Sequence, residues 1–459
     1  MILPTQSSTT IEAREGGFAR TPIGLNGAWS KLRTHAAGLK WVLCGKLSLA
    51  GANAALMLLL AHLMELGLYG LMVTAIGAQL ILSRVLMMGV DSGMIRLRTV
   101  PELRERAQEV VRAGLAVLLR RIALIVLISL AAVPLLSSFA PNLPSLVVVS
   151  IVIGGVGTAL ADYGYFYWLA RLNYRAAAFV QGGTATARLV LTIAAALIFQ
   201  KYPLAIFLAY PVASLVYGLA QTVALRSKSG KRTDRVLMRR LLRYSFWQGG
   251  ADIALLLSMY AGTFILMLAG QPAAAGLFGL GLTLSMGFIV VYQAFGEYLY
   301  PRIAHVENLH SLRSFLRNSL AATLAVIVAC VPAVVAVGII VPKFLRAELL
   351  ASIPIFYVVA ASLLLLIFEC PLKPACHYLL RPQFLFISTA LRVLLMVILG
   401  FVLTSTKGAM GMANAQLFAT ALSLIILALL VAASFRRAGW SGDESVARTG
   451  TEMSAEGGL

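Results

Sequence analysis

Four cationic side chains lie inside long apolar segments of this chain, where a charge is costly. They are Lys46, Arg84, Arg188 and Arg392. Counted at about 1.5 Å per helical residue from the nearer basic loop, Lys46 and Arg84 lie roughly 9 Å deep, Arg392 roughly 12 Å and Arg188 roughly 19 Å. Arg pairs bidentately with phosphate oxygens and Lys acts as a point charge, so the set suits a path for a diphosphate. Lys46 and Arg84 are also shallow enough to extend to the lipid headgroups instead.

Two carboxylates, Asp162 and Asp252, lie about as deep as the shallower cations, roughly 10 Å from the same side. Lys46 and Asp252 have similar depths on the first and seventh apolar segments, so they could pair across the molecule. One hypothesis is a gate that substrate phosphate or protonation opens, with Asp252 and Asp162 in gating or ion coupling. A static salt bridge explains the same residues equally well. Glu297, Glu369 and Lys373 are placed near the membrane surface and interpreted as solvated helix ends.

Polar and aromatic side chains elsewhere in the apolar segments could contact a sugar, which proteins bind by hydrogen bonds and aromatic faces. Each could equally form an ordinary hydrogen bond between two helices. These candidates are Asn53, Tyr163, Gln181, Gln248, Tyr260, Asn414 and Gln416.

The segments that carry these side chains are predicted membrane-spanning helices. The chain is 60% hydrophobic and only 12% charged, whereas soluble domains carry roughly 25% charged residues. Its mean hydropathy is +0.87. Its apolar runs have the length of about 17–25 residues that a hydrocarbon core demands, and they do not alternate as barrel strands do. The prediction is an all-α polytopic membrane protein, with spans near 41–63, 67–90, 116–138, 146–169, 177–198, 203–225, 245–268, 274–298, 319–341, 352–372, 384–404 and 410–434.

The distribution of Lys and Arg predicts the orientation of these helices. The net charge is +20, but the positive residues follow the loops rather than forming a surface for nucleic acid. Thirty Lys and Arg lie in the termini and in every second loop, whereas the opposite loops hold only Lys201, Lys343, Arg346 and Lys407. This asymmetry indicates that both termini are cytoplasmic. The polar head lacks the pattern of a cleaved signal peptide, so the first span is expected to remain in the protein.

A repeated motif divides the chain into halves. Gly67-Leu68-Tyr69-Gly70-Leu71 with Thr74 opens the second span, and Gly276-Leu277-Phe278-Gly279-Leu280 with Thr283 opens the eighth. Six spans separate the copies, which predicts a parallel repeat of the kind that forms a central site in transporters. The predicted divisions are a cytoplasmic tail (1–40), an N-lobe (41–225), a basic linker (226–243), a C-lobe (244–435) and a second cytoplasmic tail (436–459).

The stretches 66–97 and 275–303 carry a resemblance to a known superfamily. The first begins Gly-Leu-Tyr-Gly and leaves the membrane at Asp91-Ser92-Gly93, and the second closes with Pro301-Arg302. They resemble polysaccharide transporters and O-antigen-type flippases of the multidrug/oligosaccharidyl-lipid/polysaccharide (MOP) exporter superfamily. The resemblance implies two pseudo-symmetric six-helix lobes around a V-shaped central cleft, and alternating access.

It also implies a function in the bacterial inner membrane, namely flipping of oligosaccharides linked to undecaprenyl diphosphate. The expected partners are this lipid-linked oligosaccharide and membrane lipids. Two assembly proteins, a polysaccharide polymerase and a chain-length regulator, are further candidates. Two alternatives stay open, a drug/cation antiporter of the same superfamily and a membrane assembly factor for envelope polysaccharide. No P-loop, H-E-x-x-H pattern or metal-ligand spacing of the four Cys occurs, so neither an enzyme nor a cofactor is predicted.

Overall fold

The computed structural model describes residues 25–91, 94, 107–139, 145–171, 173–199, 203–225, 235–299, 302–303, 306, 308–379, 381 and 383–440. Two short 3-10 helices, Val341–Phe344 and Ala347–Leu349, connect the ninth α-helix to the tenth. The principal α-helices are α1 (Leu25–Leu63), α2 (Leu66–Met87), α3 (Ala107–Phe139), α4 (Ser145–Ala170), α5 (Tyr174–Ile198), α6 (Pro203–Leu225), α7 (Arg235–Leu268), α8 (Pro272–Leu299), α9 (Leu309–Ile340), α10 (Ser352–Leu366), α11 (Glu369–Tyr378) and α12 (Gln383–Trp440).

Eleven segments of the described chain are long and apolar enough to cross a membrane, and the last of them crosses twice. That segment contains 53 residues, about 80 Å as a straight helix against a hydrocarbon core about 30 Å thick. Gly408 interrupts it with φ 53° and ψ −132°, a conformation that favours glycine. The two sides of the break contact each other in antiparallel fashion, with Arg392 Nε 2.9 Å from Ser423 Oγ and Thr404 Oγ1 3.9 Å from Met412 Sδ. α12 is therefore a hairpin of two halves, α12a (383–407) and α12b (409–440).

The predicted fold class, an all-α polytopic membrane protein with about twelve spans, is confirmed. The first membrane segment, Lys40–Leu63, agrees with the predicted span 41–63, although the helix that contains it, α1, begins at Leu25. The predicted start of the ninth span at residue 319 was wrong, because α9 begins at Leu309. The predicted span 352–372 is two helices, α10 and α11. Residues 1–24, 226–234 and 441–459, which fall in the predicted tails and linker, lie outside the described residues.

The repeat seen in the sequence recurs in three dimensions. The Thr74 hydroxyl donates to the Gly70 carbonyl at 2.8 Å, and at equivalent positions the Thr283 hydroxyl donates to the Gly279 carbonyl at 2.8 Å. Helix packing repeats as well, because α1 packs on α5 as α7 packs on α12, and α2 packs on α4 as α8 packs on α10. The chain therefore forms two pseudo-symmetric lobes of six spans each, the N-lobe (α1–α6) and the C-lobe (α7–α12). In the C-lobe, α10 and α11 together form one span, and α12a and α12b form two.

The two glycine motifs meet where α2 crosses α8. A Cβ added at Gly70 would lie 2.1 Å from the Pro272 carbonyl oxygen, and one added at Gly276 would lie 2.6 Å from the Leu66 carbonyl oxygen. Small residues allow helix backbones to approach this closely in membrane bundles. The repeated glycines therefore allow one close contact between the lobes.

The lobes touch at both ends of the bundle. The end where α2, α4 and α6 finish adjoins the basic segments of the sequence and is called the basic end, and the opposite end is called the far end. At the far end the C-lobe residue Leu349 is fully buried in an N-lobe cluster that includes Leu60. At the basic end a Cβ on Gly249 would lie 2.9 Å from the Gly89 nitrogen, which places α7 directly against the end of α2.

Candidate functional site

The deepest predicted cation, Arg188, is held by three helices of the N-lobe. Its side chain leaves α5, is 3% exposed, and donates from Nε to Ser214 Oγ at 2.8 Å and from Nη2 to Thr158 Oγ1 at 2.7 Å. The guanidinium carbon also lies 4.8 Å from the centre of the Tyr210 ring. Arg188, Thr158 and Ser214 are called the N-lobe arginine cluster. Both of these hydrogen-bond acceptors are neutral hydroxyls.

Arg392 occupies the corresponding place in the C-lobe. It lies on α12a, is 2% exposed, and donates from Nε to Ser423 Oγ on α12b at 2.9 Å. Its Nη2 donates to Glu369 Oε2 on α11 at 3.1 Å. Arg392, Glu369 and Ser423 are called the C-lobe arginine cluster. Thus an arginine on the fifth span of each lobe donates through Nε to a serine on the sixth.

The two clusters differ in charge at a single position. Nη2 of Arg188 meets the hydroxyl of Thr158, whereas Nη2 of Arg392 meets the carboxylate of Glu369. The C-lobe cluster is therefore internally neutralised, and the N-lobe cluster carries a net positive charge. The N-lobe cluster is therefore the more electropositive of the two, and Asp162, outside the cluster, supplies the compensating charge that a buried cation needs.

A chain of ionisable groups of alternating sign connects the two clusters and is called the charged belt. It runs Arg188, Asp162, Arg84, Asp252, Lys373, Glu369, Arg392. Three of its steps are ion pairs, with separations of 4.0 Å for Arg84–Asp162, 3.9 Å for Lys373–Glu369 and 3.1 Å for Arg392–Glu369. Asp91 lies beside the belt, 3.4 Å from Arg84. The other three steps are electrostatic interactions rather than measured ion pairs, and one of them, between Arg84 and Asp252, crosses from the N-lobe to the C-lobe.

A second ionic contact crosses between the lobes. Lys46 on α1 pairs with Glu297 on α8, so the predicted partner of Lys46 was wrong. Asp252 instead interacts electrostatically with Arg84 and with Lys373. Depth along the helix was similar for Asp252 and Glu297, and the sequence could not show which of them faces α1.

The interpretation of Glu369 and Lys373 as solvated ends was wrong. The Glu369 side chain is 1% exposed and belongs to the C-lobe arginine cluster. The Lys373 ammonium donates to the Tyr292 hydroxyl and lies 3.9 Å from Glu369. Both residues are on α11, the short helix that replaces the second half of the predicted tenth span. For Glu297 the interpretation holds in part, because its side chain is 48% exposed.

Several solved structures match the overall fold of this chain. The chain matches the structure of the MATE multidrug transporter DinF-BH with a TM-score of 0.61 and 16% identity, covering 86% of this chain and 94% of the other. It matches the lipid II flippase MurJ in an inward closed conformation with a TM-score of 0.58 and 15% identity, covering 85% and 88%. It also matches an outward-facing multidrug resistance MATE family transporter of the MOP superfamily, with a TM-score of 0.56, 13% identity and coverage of 87% and 98%. No family model and no curated protein sequence matches.

The chain shares the fold of these MATE and MurJ structures. At this level of sequence identity the likeness concerns the fold alone.

Within this fold, the predicted sugar-contacting residues separate into different environments. The Tyr163 hydroxyl donates to the Val111 carbonyl at 2.7 Å, which is a contact between α4 and α3 inside the N-lobe. Tyr260 on α7 packs on Gly77 of α2 at the lobe interface. The Oε1 atoms of Gln181 and Gln416 are buried and find no hydrogen-bond partner within the described part of the chain. Asn53 and Asn414 are partly buried, and the side chain of Gln248 lies outside the described residues.

The residues that sequence reasoning missed are the hydrogen-bond partners of the arginines. Thr158, Ser214 and Ser423 are small hydroxyl residues that are common in membrane helices, and nothing in their spacing distinguishes them. The offset between Arg188 and Arg392 is close to that of the glycine motifs, and it could have signalled that the two are equivalent. Among the described residues no group of three or more His, Cys, Asp or Glu side chains could hold a metal ion.

Proposed function

We propose that this protein is a flippase that moves polyprenyl-diphosphate-linked oligosaccharide repeat units across the membrane by alternating access of its two lobes. The spans and the structural matches support a multi-pass membrane protein with the fold of the MOP transporters. MurJ, a flippase for lipid II, shares this fold. The specific substrate is inferred from the charges of the site.

The observation that carries the proposal is the unequal charge of the two arginine clusters. Arg188 donates to two hydroxyls, so these bonds leave its charge unneutralised, and its remaining guanidinium donors can bind an anion once the helices around it separate. Tyr260 of the C-lobe is near enough to interact with Arg188 electrostatically. A diphosphate entering between the lobes would therefore be drawn to the N-lobe side, where planar guanidinium groups bind phosphate oxygens well.

The charged belt and the Lys46–Glu297 pair supply a means of opening. Counting Asp91 and this pair with the belt, the N-lobe helices contribute three cations and two carboxylates, and the C-lobe helices contribute the reverse. The lobes therefore attract each other when they are closed. Substrate phosphate can replace a C-lobe carboxylate as the partner of Lys46 or Arg84, which weakens the attraction and lets the lobes part at the basic end.

The proposal also includes orientation and location. The asymmetry of the basic loops supports a cytoplasmic basic end and cytoplasmic termini, and the proposed substrate class places the protein in a bacterial inner membrane. The buried amide oxygens of Gln181 and Gln416 are available for sugar hydroxyls if the helices around them separate. A polysaccharide polymerase and a chain-length regulator would act on the product.

A second candidate function, drug/cation antiport, is favoured by two observations. The MATE structures that match are multidrug transporters, and the belt holds carboxylates that could bind an organic cation or a proton. Asp162 accepts a hydrogen bond from Ser83 at 3.4 Å, and its side chain is 29% exposed. It is therefore accessible to a small cation.

The test is flipping in proteoliposomes that contain the purified protein and a fluorescent polyprenyl-diphosphate oligosaccharide. We expect the label to become accessible in the opposite leaflet at a rate that Arg188→Gln reduces about tenfold or more, with uptake of a cationic rhodamine dye near background. Arg188→Lys, which keeps the charge, should recover part of the rate. Rhodamine uptake that Asp162→Asn abolishes, without lipid flipping, would replace the flippase proposal with the antiporter.

A further inference from the structure

The far end of the bundle is closed by a connection from one lobe to the other, made by the loop between α9 and α10. Arg346 in this C-lobe loop donates from Nη2 to the carbonyls of Ala61 and Met64, at 2.8 and 3.0 Å. These carbonyls lie at and just beyond the end of α1, where helix carbonyls lack an intrahelical donor. Leu349, farther along the loop, is buried in the N-lobe. The loop therefore fixes the C-lobe to the end of α1.

His62, one residue before the end of α1, contributes a bond with an unusual requirement. Its Nδ1 lies 2.9 Å from the Leu58 carbonyl oxygen on its own helix, and its Nε2 lies 2.6 Å from the Phe344 carbonyl oxygen in the loop. Both partners are carbonyl oxygens, which only accept hydrogen bonds. A neutral imidazole carries one N–H, whereas an imidazolium carries two. The two contacts can therefore both be hydrogen bonds only when His62 is protonated.

We propose that His62 is a proton-binding site that controls closure of the far end. His62, Phe344 and Arg346 are called the far-end contact. In the protonated state the ring bonds α1 and the loop together. In the neutral state one ring nitrogen presents a lone pair to a carbonyl oxygen, and one of the two bonds is lost. Protonated His62 therefore stabilises the closed far end by one hydrogen bond more than neutral His62 does.

The charged groups around this corner do not supply an alternative switch. On the described elements that meet there they are Glu65 between α1 and α2, and Lys343, Arg346 and Glu348 in the loop. They comprise two cations and two carboxylates. None of these types ordinarily changes charge between about pH 5 and pH 8, whereas histidine does. Closure should therefore be favoured below this range and weakened as the pH rises through it.

The proposed switch would respond to the pH on one side of the membrane only. His62 lies at the far end of the membrane span Lys40–Leu63, so it exchanges protons with the compartment on that side. An acidic far compartment would close the emptied transporter there and return it toward the basic end. This control does not depend on which substrate the protein carries.

The experiment measures the separation of the lobes in the full-length protein in lipid nanodiscs, without substrate. Spin labels are attached at Phe199→Cys on the N-lobe and Ser405→Cys on the C-lobe, both exposed near the far end, after replacement of the native Cys residues by Ser. Distances are recorded by double electron–electron resonance at about pH 5 and pH 8, the range in which histidine titrates. We expect the ratio of open to closed molecules to rise roughly three- to tenfold at the higher pH, the worth of one hydrogen bond.

Three variants make the result decisive. His62→Gln should remove the pH dependence, and His62→Arg, which is always charged, should remain closed at both pH values. His310→Gln, at an exposed position on α9 near the basic end, is the matched control and should respond like the parent protein. A pH response that survives in His62→Gln, or a parent protein whose distances do not change with pH, would overturn the proposal.

Discussion

Removing the arginine from each cluster should have different consequences for stability, although the two arginines are equally buried. Arg392→Met leaves the Glu369 carboxylate, 1% exposed, without its nearest partner. Arg188→Met leaves two hydroxyls, and Ser214 still donates to the Tyr210 carbonyl at 3.0 Å. We therefore expect the C-lobe substitution to be much the more damaging.

The magnitudes follow from the groups that remain. Breaking a buried ion pair by removing one member costs about 3–5 kcal/mol of unfolding free energy. Lys373 stays 3.9 Å from Glu369 and offsets part of this cost. Arg392→Met should therefore lower the free energy of unfolding by about 3 kcal/mol. Arg188→Met loses two hydrogen bonds but also removes a buried charge, whose burial is costly. We therefore expect it to lower the free energy of unfolding by about 1 kcal/mol.

The assay is reversible unfolding of the purified protein in mixed detergent micelles, followed by tryptophan fluorescence. A double variant, Arg392→Met with Glu369→Gln, removes the charge that the single variant leaves behind. It should recover about 1–2 kcal/mol, although Glu369→Gln alone is destabilising. Equal losses for Arg188→Met and Arg392→Met, or a double variant no more stable than Arg392→Met, would refute the assigned charge difference.

Three further predictions concern helix contacts and the ion pair between the lobes. Gly70→Val should prevent the close approach of α2 to the Pro272 carbonyl, so that little folded protein is recovered by fluorescence-detected size exclusion. Gly408→Ala should lower the free energy of unfolding by about 1–3 kcal/mol, because alanine is strained at φ 53° and ψ −132°. Lys46→Glu and Glu297→Lys should each slow transport in proteoliposomes, and the double exchange should restore at least half of the rate because the pair reforms with reversed charges.

Matched positions provide the controls. The Cβ added by Gly67→Ala would lie 3.9 Å from the side chain of Pro272 on α8, so this variant should fold like the parent protein. Gly182→Ala has no atom within 4 Å and should be neutral, or stabilising by up to about 1 kcal/mol from helix propensity. Normal recovery of Gly70→Val would show that the α2–α8 contact is looser than described. A double exchange of Lys46 and Glu297 as slow as its single variants would show that their pairing does not matter for transport.

Much of the fold was predictable because the bilayer imposes it. Apolar runs of fixed length and the asymmetry of the basic loops indicated the spans and their number. The glycine motifs indicated a parallel repeat, and the equivalent bonds of Thr74 and Thr283 agree with it. The break within the tenth span and the early start of α9 were missed, because local packing and capping determine them rather than hydropathy.

The candidate site was only partly predictable. The in-span charges were identifiable because lipid makes them costly, but depth along a helix does not tell which face a side chain occupies. For that reason Lys46 was assigned to Asp252 instead of Glu297. The same limitation hid Glu369, whose position beside a predicted helix end gave no indication of burial.

The contact between α2 and α8 also has an evolutionary consequence. Each lobe supplies one copy of the same motif to this contact, as each subunit of a homodimer would, but here both copies belong to one polypeptide. In a homodimer every substitution occurs twice, so the partner of the arginine would be the same residue in both subunits. A single polypeptide removes that restriction, so the arginine of one lobe can have a hydroxyl partner, Thr158, and the arginine of the other a carboxylate partner, Glu369.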